Sequence, residues 1–157
     1  MKFLIKKELE YTTLLKHLIV ALSMALSLYL LLDIVLHGFF LGTDTISIAH
    51  TLYGNEAEYT EPIPLDSLLL QIHIDLFMSL VSFMLISSIY IRYFSHRTYT
   101  KILVHLLFVT GLLAPLSILI AYFTSPILIY IWLGSFLLSH IVAIFMSLKT
   151  IKKLLTL

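Results

Sequence analysis

Four side chains able to carry protons or ligate ions interrupt two otherwise apolar stretches: Asp33 and His37 in the first, His73 and Asp75 in the second. Charges and imidazoles are costly in such surroundings, and where they persist they mark ion paths, proton relays or cofactor ligands. Counted from the midpoint of each stretch at about 1.5 Å per residue, both aspartates lie roughly 6–7 Å, and both histidines roughly 10–12 Å, toward the same side. Two antiparallel helices would thus offer one carboxylate and one imidazole each at matching levels. Helical phase limits how they meet. Asp33 and His37 are four apart and share a face, continued by Ser23, Ser27 and Tyr29. Gln71, Asp75, Ser79 and Ser82 form one stripe on the second helix, whereas His73 projects nearly the opposite way, with Asp66. At most three of the four converge without a tilt or kink.

Three chemistries suit this set. In one, His37 and His73 are the axial ligands of a b-type haem, with Asp33 beside them. In another, a divalent metal ion draws on Asp33, His37, His73 and Asp75, or protons and cations pass along Asp33, His37 and Asp75. In the last, an Asp–His bond locks the first two helices together and the serines satisfy Asp75. The leading expectation is a non-catalytic membrane component whose His/Asp site takes haem or a metal ion within a larger assembly. A small proton- or cation-conducting protein using Asp33 and Asp75, and a scaffold or assembly factor, are the alternatives. No glycine-rich phosphate loop, G-x-S-x-G, H-E-x-x-H or cysteine pair is present, so catalysis by side chains has the least support.

The remaining histidines are weaker candidates. His17 lies at a span boundary beside Lys16, His105 faces the same way as Lys101, and His50 and His96 fall in loops. His140 stands about 4 Å from the middle of the last span. An inner haem between His105 and His140 would need ligands whose levels differ by about 7 Å.

The elements that must position these groups are membrane helices. Apolar residues make up 60% of the 157 and charged residues 12%, and the mean hydropathy is +1.02, far from soluble-domain values. We read an all-α, integral membrane four-helix bundle with spans at about 18–41, 68–91, 102–123 and 127–148, each long enough for a roughly 30 Å hydrocarbon core. The first stretch exceeds a signal-peptide core and lacks a following small-x-small cleavage site, so it reads as a retained helix. All ten Lys and Arg fall at 2–16, 92–101 and 149–153. Basic flanks resist translocation, so both termini and the 92–101 loop are expected on the cytoplasmic side. The 149–157 tail is basic. The 43–66 connection carries five acids and no base, and is expected as a solvated outer loop. Within it Asp44-Thr45 begins a short helix through Tyr53, stopped by Gly54-Asn55.

The 157 residues are expected to form a single transmembrane domain. The lipid bilayer is the first partner, and nothing points to nucleic acid. Ser135, Ser139, Ala143 and Ser147 form a ladder of small side chains for close helix approach, inside the bundle or between protomers in a homo-oligomer or with other subunits. Gly111, Ala114 and Pro115 can receive such a ladder or kink the third span.

The stretch Leu68-Leu69-Leu70-Gln71-Ile72-His73-Ile74-Asp75-Leu76-Phe77-Met78 resembles small bacterial four-span inner-membrane proteins with an acidic outer loop and an H-x-[HD]-L-F-x-M stretch opening the second span. The resemblance covers about residues 18–91 and implies the four-span topology and a bacterial inner membrane. It draws attention to His73 and Asp75 without implying an activity. Asp75 stands where a histidine is equally familiar, which weighs against iron at that pair.

Overall fold

A computed structural model describes residues 2–95 and 97–156, with side chains from Thr13 onward; His96 lies outside the described residues. The chain forms α1 (Lys2–Phe40), α2 (Thr45–Tyr53), a 3-10 turn (Glu56–Glu58), α3 (Leu65–Phe94), α4 (Thr98–Phe123) and α5 (Ile127–Leu155). Among the described residues, four segments are long and apolar enough to cross a membrane: Thr13–Phe40, Leu65–Phe94, Thr98–Phe123 and Ile127–Leu155. The fold is therefore an all-α membrane bundle of four long helices. They extend beyond the apolar stretches at several ends. The 149–157 segment, expected as a tail, is helical as far as Leu155, and Lys152 and Lys153 occupy the last turn of α5. Cations there complement the partial negative charge of a helix C-terminus.

The bundle is not evenly filled. Only 17% of the α1 window is buried against 44% for α5, so α5 is the central helix and α1 flanks it. The small-residue ladder explains that pairing. Ser135, Ser139, Ala143 and Ser147 are all buried, and the Ser147 hydroxyl donates to the Ser23 carbonyl of α1 at 2.8 Å. Ser27 Oγ lies 2.8 Å from Ser147 Oγ. The ladder is used inside one chain, drawing two backbones together. Between α3 and α4 the close approach falls at Gly111, where a Cβ would lie 2.5 Å from the Phe83 ring. Pro115 sits within α4; it lacks an N–H, so the Gly111 carbonyl has no helical donor.

The connection between α1 and α3 folds over one end of the bundle, the loop end. Asp44 Oδ1 accepts the backbone N–H groups of Ile46 (2.9 Å) and Ser47 (3.0 Å), while Ser47 Oγ accepts the Asp44 N–H, a reciprocal cap that starts α2. Gly54 ends it with φ 81°, a conformation that L side chains rarely adopt. Ile48 and Leu52 are buried with Leu68, Ile118, Ile129 and Trp132. The Tyr53 hydroxyl donates to the Ala121 carbonyl at 2.6 Å and that of Tyr122 to the Ile63 carbonyl at 3.2 Å, tying cap and helices together. A second apolar cluster, built on Leu30, Phe83, Tyr90, Leu107 and Met146, fills the opposite, basic end.

A buried acid–imidazole chain as candidate functional site

Asp33 and His37 arise on one face of α1 because they are one helical turn apart, and both are buried. That face meets α3 and α5. His37 Nε2 lies 2.9 Å from Asp75 Oδ2 on α3, and Asp33 Oδ2 lies 2.9 Å from His140 Nε2 on α5. Gln71, one turn before Asp75, donates its amide to Asp75 Oδ1 at 2.8 Å and fixes that carboxylate. The His37 Nδ1 is 3.5 Å from Asp33 Oδ1, so the two Asp–His pairs join into one chain: Gln71, Asp75, His37, Asp33, His140.

Partners assign the tautomers. His37 Nδ1 lies 2.9 Å from the Asp33 carbonyl, and His140 Nδ1 lies 2.8 Å from the Phe136 carbonyl. A carbonyl only accepts, so each Nδ1 carries its hydrogen and donates. Each Nε2 then confronts a carboxylate oxygen at 2.9 Å, and two lone pairs at that distance repel. One proton must sit in each gap, on the nitrogen or on the oxygen. The two pairs are therefore each neutral overall with a proton shared between acid and imidazole. Neutral pairs are the form that an apolar interior tolerates.

The surroundings are apolar and aromatic. Phe136 stands between the two imidazoles, with ring centroids 4.6 Å from His37 and 4.2 Å from His140, and stacks on Trp132. Phe83 presents an edge-on contact to His140. Beside the chain lies a cavity of about 10 Å³, with Asp75, Ser79, Ser139 and His140 as its polar lining and Gly111 and Pro115 in its wall. That volume suits about one water. Both ends of the acid–imidazole chain thus border the same small polar space. Tyr29 of α1 approaches Ser79 and the two carboxylates.

Of the four residues singled out from sequence, Asp33, His37 and Asp75 converge, with ligand-type atoms all within 4.8 Å of one another. His73 does not join them. It lies exposed on α3, two positions from Asp75 and thus on another face, so His37 and His73 do not share an axis. A haem held between those two imidazoles does not fit this arrangement, since His37 Nε2 is also engaged by Asp75. His105 is exposed and its Nδ1 contacts the Lys101 carbonyl at 2.7 Å, which separates it from buried His140. His17 is likewise exposed, against the Thr13 carbonyl, and His50 sits on α2 near Asn55. The residue that sequence reading did not bring to the site is His140. Its mid-span position was the available signal.

Fold and site together define an integral membrane bundle with an ionisable interior. The chain belongs to a family described as a transmembrane helical domain, whose sequence model matches residues 42–157. The match takes in Asp75 and His140 and begins after Asp33 and His37. No curated protein and no solved structure matches the chain.

Proposed function

We propose that this is a multi-pass protein of a bacterial inner membrane, both termini cytoplasmic, that conducts protons through the Asp75–His37–Asp33–His140 chain. The observation that carries the reading is the alternation of carboxylate and imidazole inside apolar helices, with the outer two links at 2.9 Å and the middle one, His37 Nδ1 to Asp33 Oδ1, at 3.5 Å. Alternating acids and bases is what proton transfer needs: each group can both receive and release a proton. A proton arriving at Asp75 passes to His37 Nε2, the Nδ1 proton leaves toward Asp33, and Asp33 Oδ2 hands a proton to His140. Asp75 and His140 border one and the same one-water cavity, where a proton can enter or leave the chain. The acidic 43–66 connection above the loop end suits cation collection, and the one-sided basic residues support the orientation.

The test is flux. Purified protein in liposomes enclosing a pH-sensitive dye is given a potassium diffusion potential. Proton entry is expected with the native chain and its loss with Asp33→Asn and with Asp75→Asn, each of which keeps the side-chain shape. Flux unchanged in both variants overturns the reading. A purely architectural role has one observation in its favour, that the same bonds tie α1 to α3 and to α5; a folded native chain without any flux would turn the balance to it.

A further inference from the structure

We infer that Asp33, His37 and Asp75 also form a binding site for a divalent transition-metal ion of the zinc or cobalt kind, and that the bound ion interrupts the relay. The second half of this inference rests on the conduction reading; the first does not.

The donor set selects the ion. One imidazole and two carboxylates present nitrogen and oxygen ligands whose nearest atoms all lie within 4.8 Å of one another. Around an ion with bonds of about 2.0–2.2 Å, such atoms stand about 3–3.5 Å apart. His37 Nε2 and Asp75 Oδ2 already lie 2.9 Å apart, so Asp33, whose Oδ2 meets His140 Nε2 at 2.9 Å, is the ligand that has to close in. Imidazole disfavours magnesium and calcium, which take six or more oxygens. Two carboxylates match the charge of a divalent ion once binding has released the proton shared in each Asp–His pair, and an apolar interior demands that match.

The neighbours are arranged as supporting groups for ligands. A ligating imidazole commonly donates its other N–H to a carbonyl or carboxylate, which fixes the tautomer and aims the free nitrogen. His37 Nδ1 does so toward the Asp33 carbonyl at 2.9 Å, leaving Nε2 as the ligand atom. Gln71 holds Asp75 Oδ1 and leaves Oδ2 directed at the site. Three protein ligands leave a fourth position for water. An ion seated there occupies His37 Nε2, the atom through which Asp75 and His37 exchange a proton, so binding stops transfer at that step.

Cobalt(II) titrated into the detergent-solubilised full chain, purified on a histidine-free tag, gives the direct readout. Visible d–d bands are expected with the native chain, lost in His37→Gln and in Asp75→Asn and retained in His73→Gln and His105→Gln. Zinc should abolish the bands and excess magnesium should not. An absence of bands in the native chain, or their retention in His37→Gln, overturns the site. Because those variants can fold poorly, X-ray absorption on the zinc-loaded native chain serves independently: one imidazole among oxygen donors is expected, and a shell with none or more than one overturns the assignment. In liposomes zinc should lower proton flux at least tenfold, equally in His73→Gln. Zinc that binds without slowing flux removes the interruption. A native chain that binds cobalt but passes no protons leaves the metal site standing and removes the conduction reading instead.

Discussion

Asp33 and His140, 107 positions apart in the chain, lie side by side at 2.9 Å in the middle of the bundle, joining its flanking helix to its central one. Both side chains are buried, and the imidazole is further committed through Nδ1 to the Phe136 carbonyl. Removing one partner leaves the other as an uncompensated polar or charged group in an apolar interior, which costs about 3–5 kcal/mol. His140→Ala is therefore expected to destabilise the detergent-solubilised protein by about that amount in thermal or denaturant unfolding. Replacing both groups, as in Asp33→Leu with His140→Phe, removes the unpaired group as well and should recover most of the loss.

The same double variant separates architecture from conduction. If the acid–imidazole chain serves only to hold helices, a well-packed apolar replacement keeps whatever the native protein does. If it carries protons, the double variant is stable and silent. The expected outcome is native-like unfolding together with loss of dye-reported proton entry in liposomes. Flux retained in the stable double variant would count against the relay.

Much of this was legible in the chain. Four spans follow from runs of apolar residues long enough to cross a bilayer, and the α2 start follows from Asp44 at an N-cap. Phase gives that Asp33 and His37 share a face and that His73 and Asp75, two positions apart, do not both join them; that Asp75 is the one to do so is not encoded in that spacing. His140 was not placed by this reasoning because depth was counted from span midpoints, as though the helices were level. They are staggered. Asp33 lies seven residues, about 10 Å, from the loop end of α1, whereas His140 lies thirteen residues, about 20 Å, from that of α5. The α4–α5 hairpin thus reaches past the end of α1, and α2 packs into the step with Ile48 and Leu52. Nothing in a local pattern encodes that offset; it depends on how the connection folds back.

Gly111 sets the distance between α3 and α4. A methyl group there would meet the Phe83 ring at 2.5 Å, and Phe83 is fully buried with an edge toward His140. Gly111→Ala must therefore push the ring or separate the helices. Overpacking of this kind costs about 1–3 kcal/mol, and unfolding midpoints of the variant should fall accordingly. Phe83→Leu in the same chain makes room and should restore part of the loss. An unchanged midpoint in Gly111→Ala would show that α3 and α4 do not approach here as described.

Asp44 makes the loop-end cap sensitive to acid. The backbone N–H groups of Ser47 and Ile46, together with the Ser47 hydroxyl, hold its carboxyl below the usual carboxylate range. A depressed folded pKa means that the cap's contribution is present above the unfolded value, about 3.9, and is lost as pH falls through the folded one. Amide exchange over residues 45–53 should therefore be slow and constant near neutrality once corrected for its intrinsic rate, and should quicken only well into the acid range. Asp44→Asn keeps an acceptor at the cap but removes the titration, so its protection should stay flat. Equal acid sensitivity in that variant would place the titrating group elsewhere.

The orientation can be decided with two single cysteines, because the chain contains none of its own. Glu58 lies exposed in the loop-end cap and Thr156 just beyond the lysine-bearing last turn of α5, at opposite ends of the bundle. Lys and Arg beside the spans resist translocation, so the end with Lys149, Lys152 and Lys153 is expected in the cytoplasm. A membrane-impermeant maleimide applied to intact cells stripped of their outer barrier should label Glu58→Cys and spare Thr156→Cys until the membrane is opened. The reverse pattern would turn the protein over. It would also move Asp75 and His37 to the cytoplasmic half, so the acidic connection would no longer collect cations from outside.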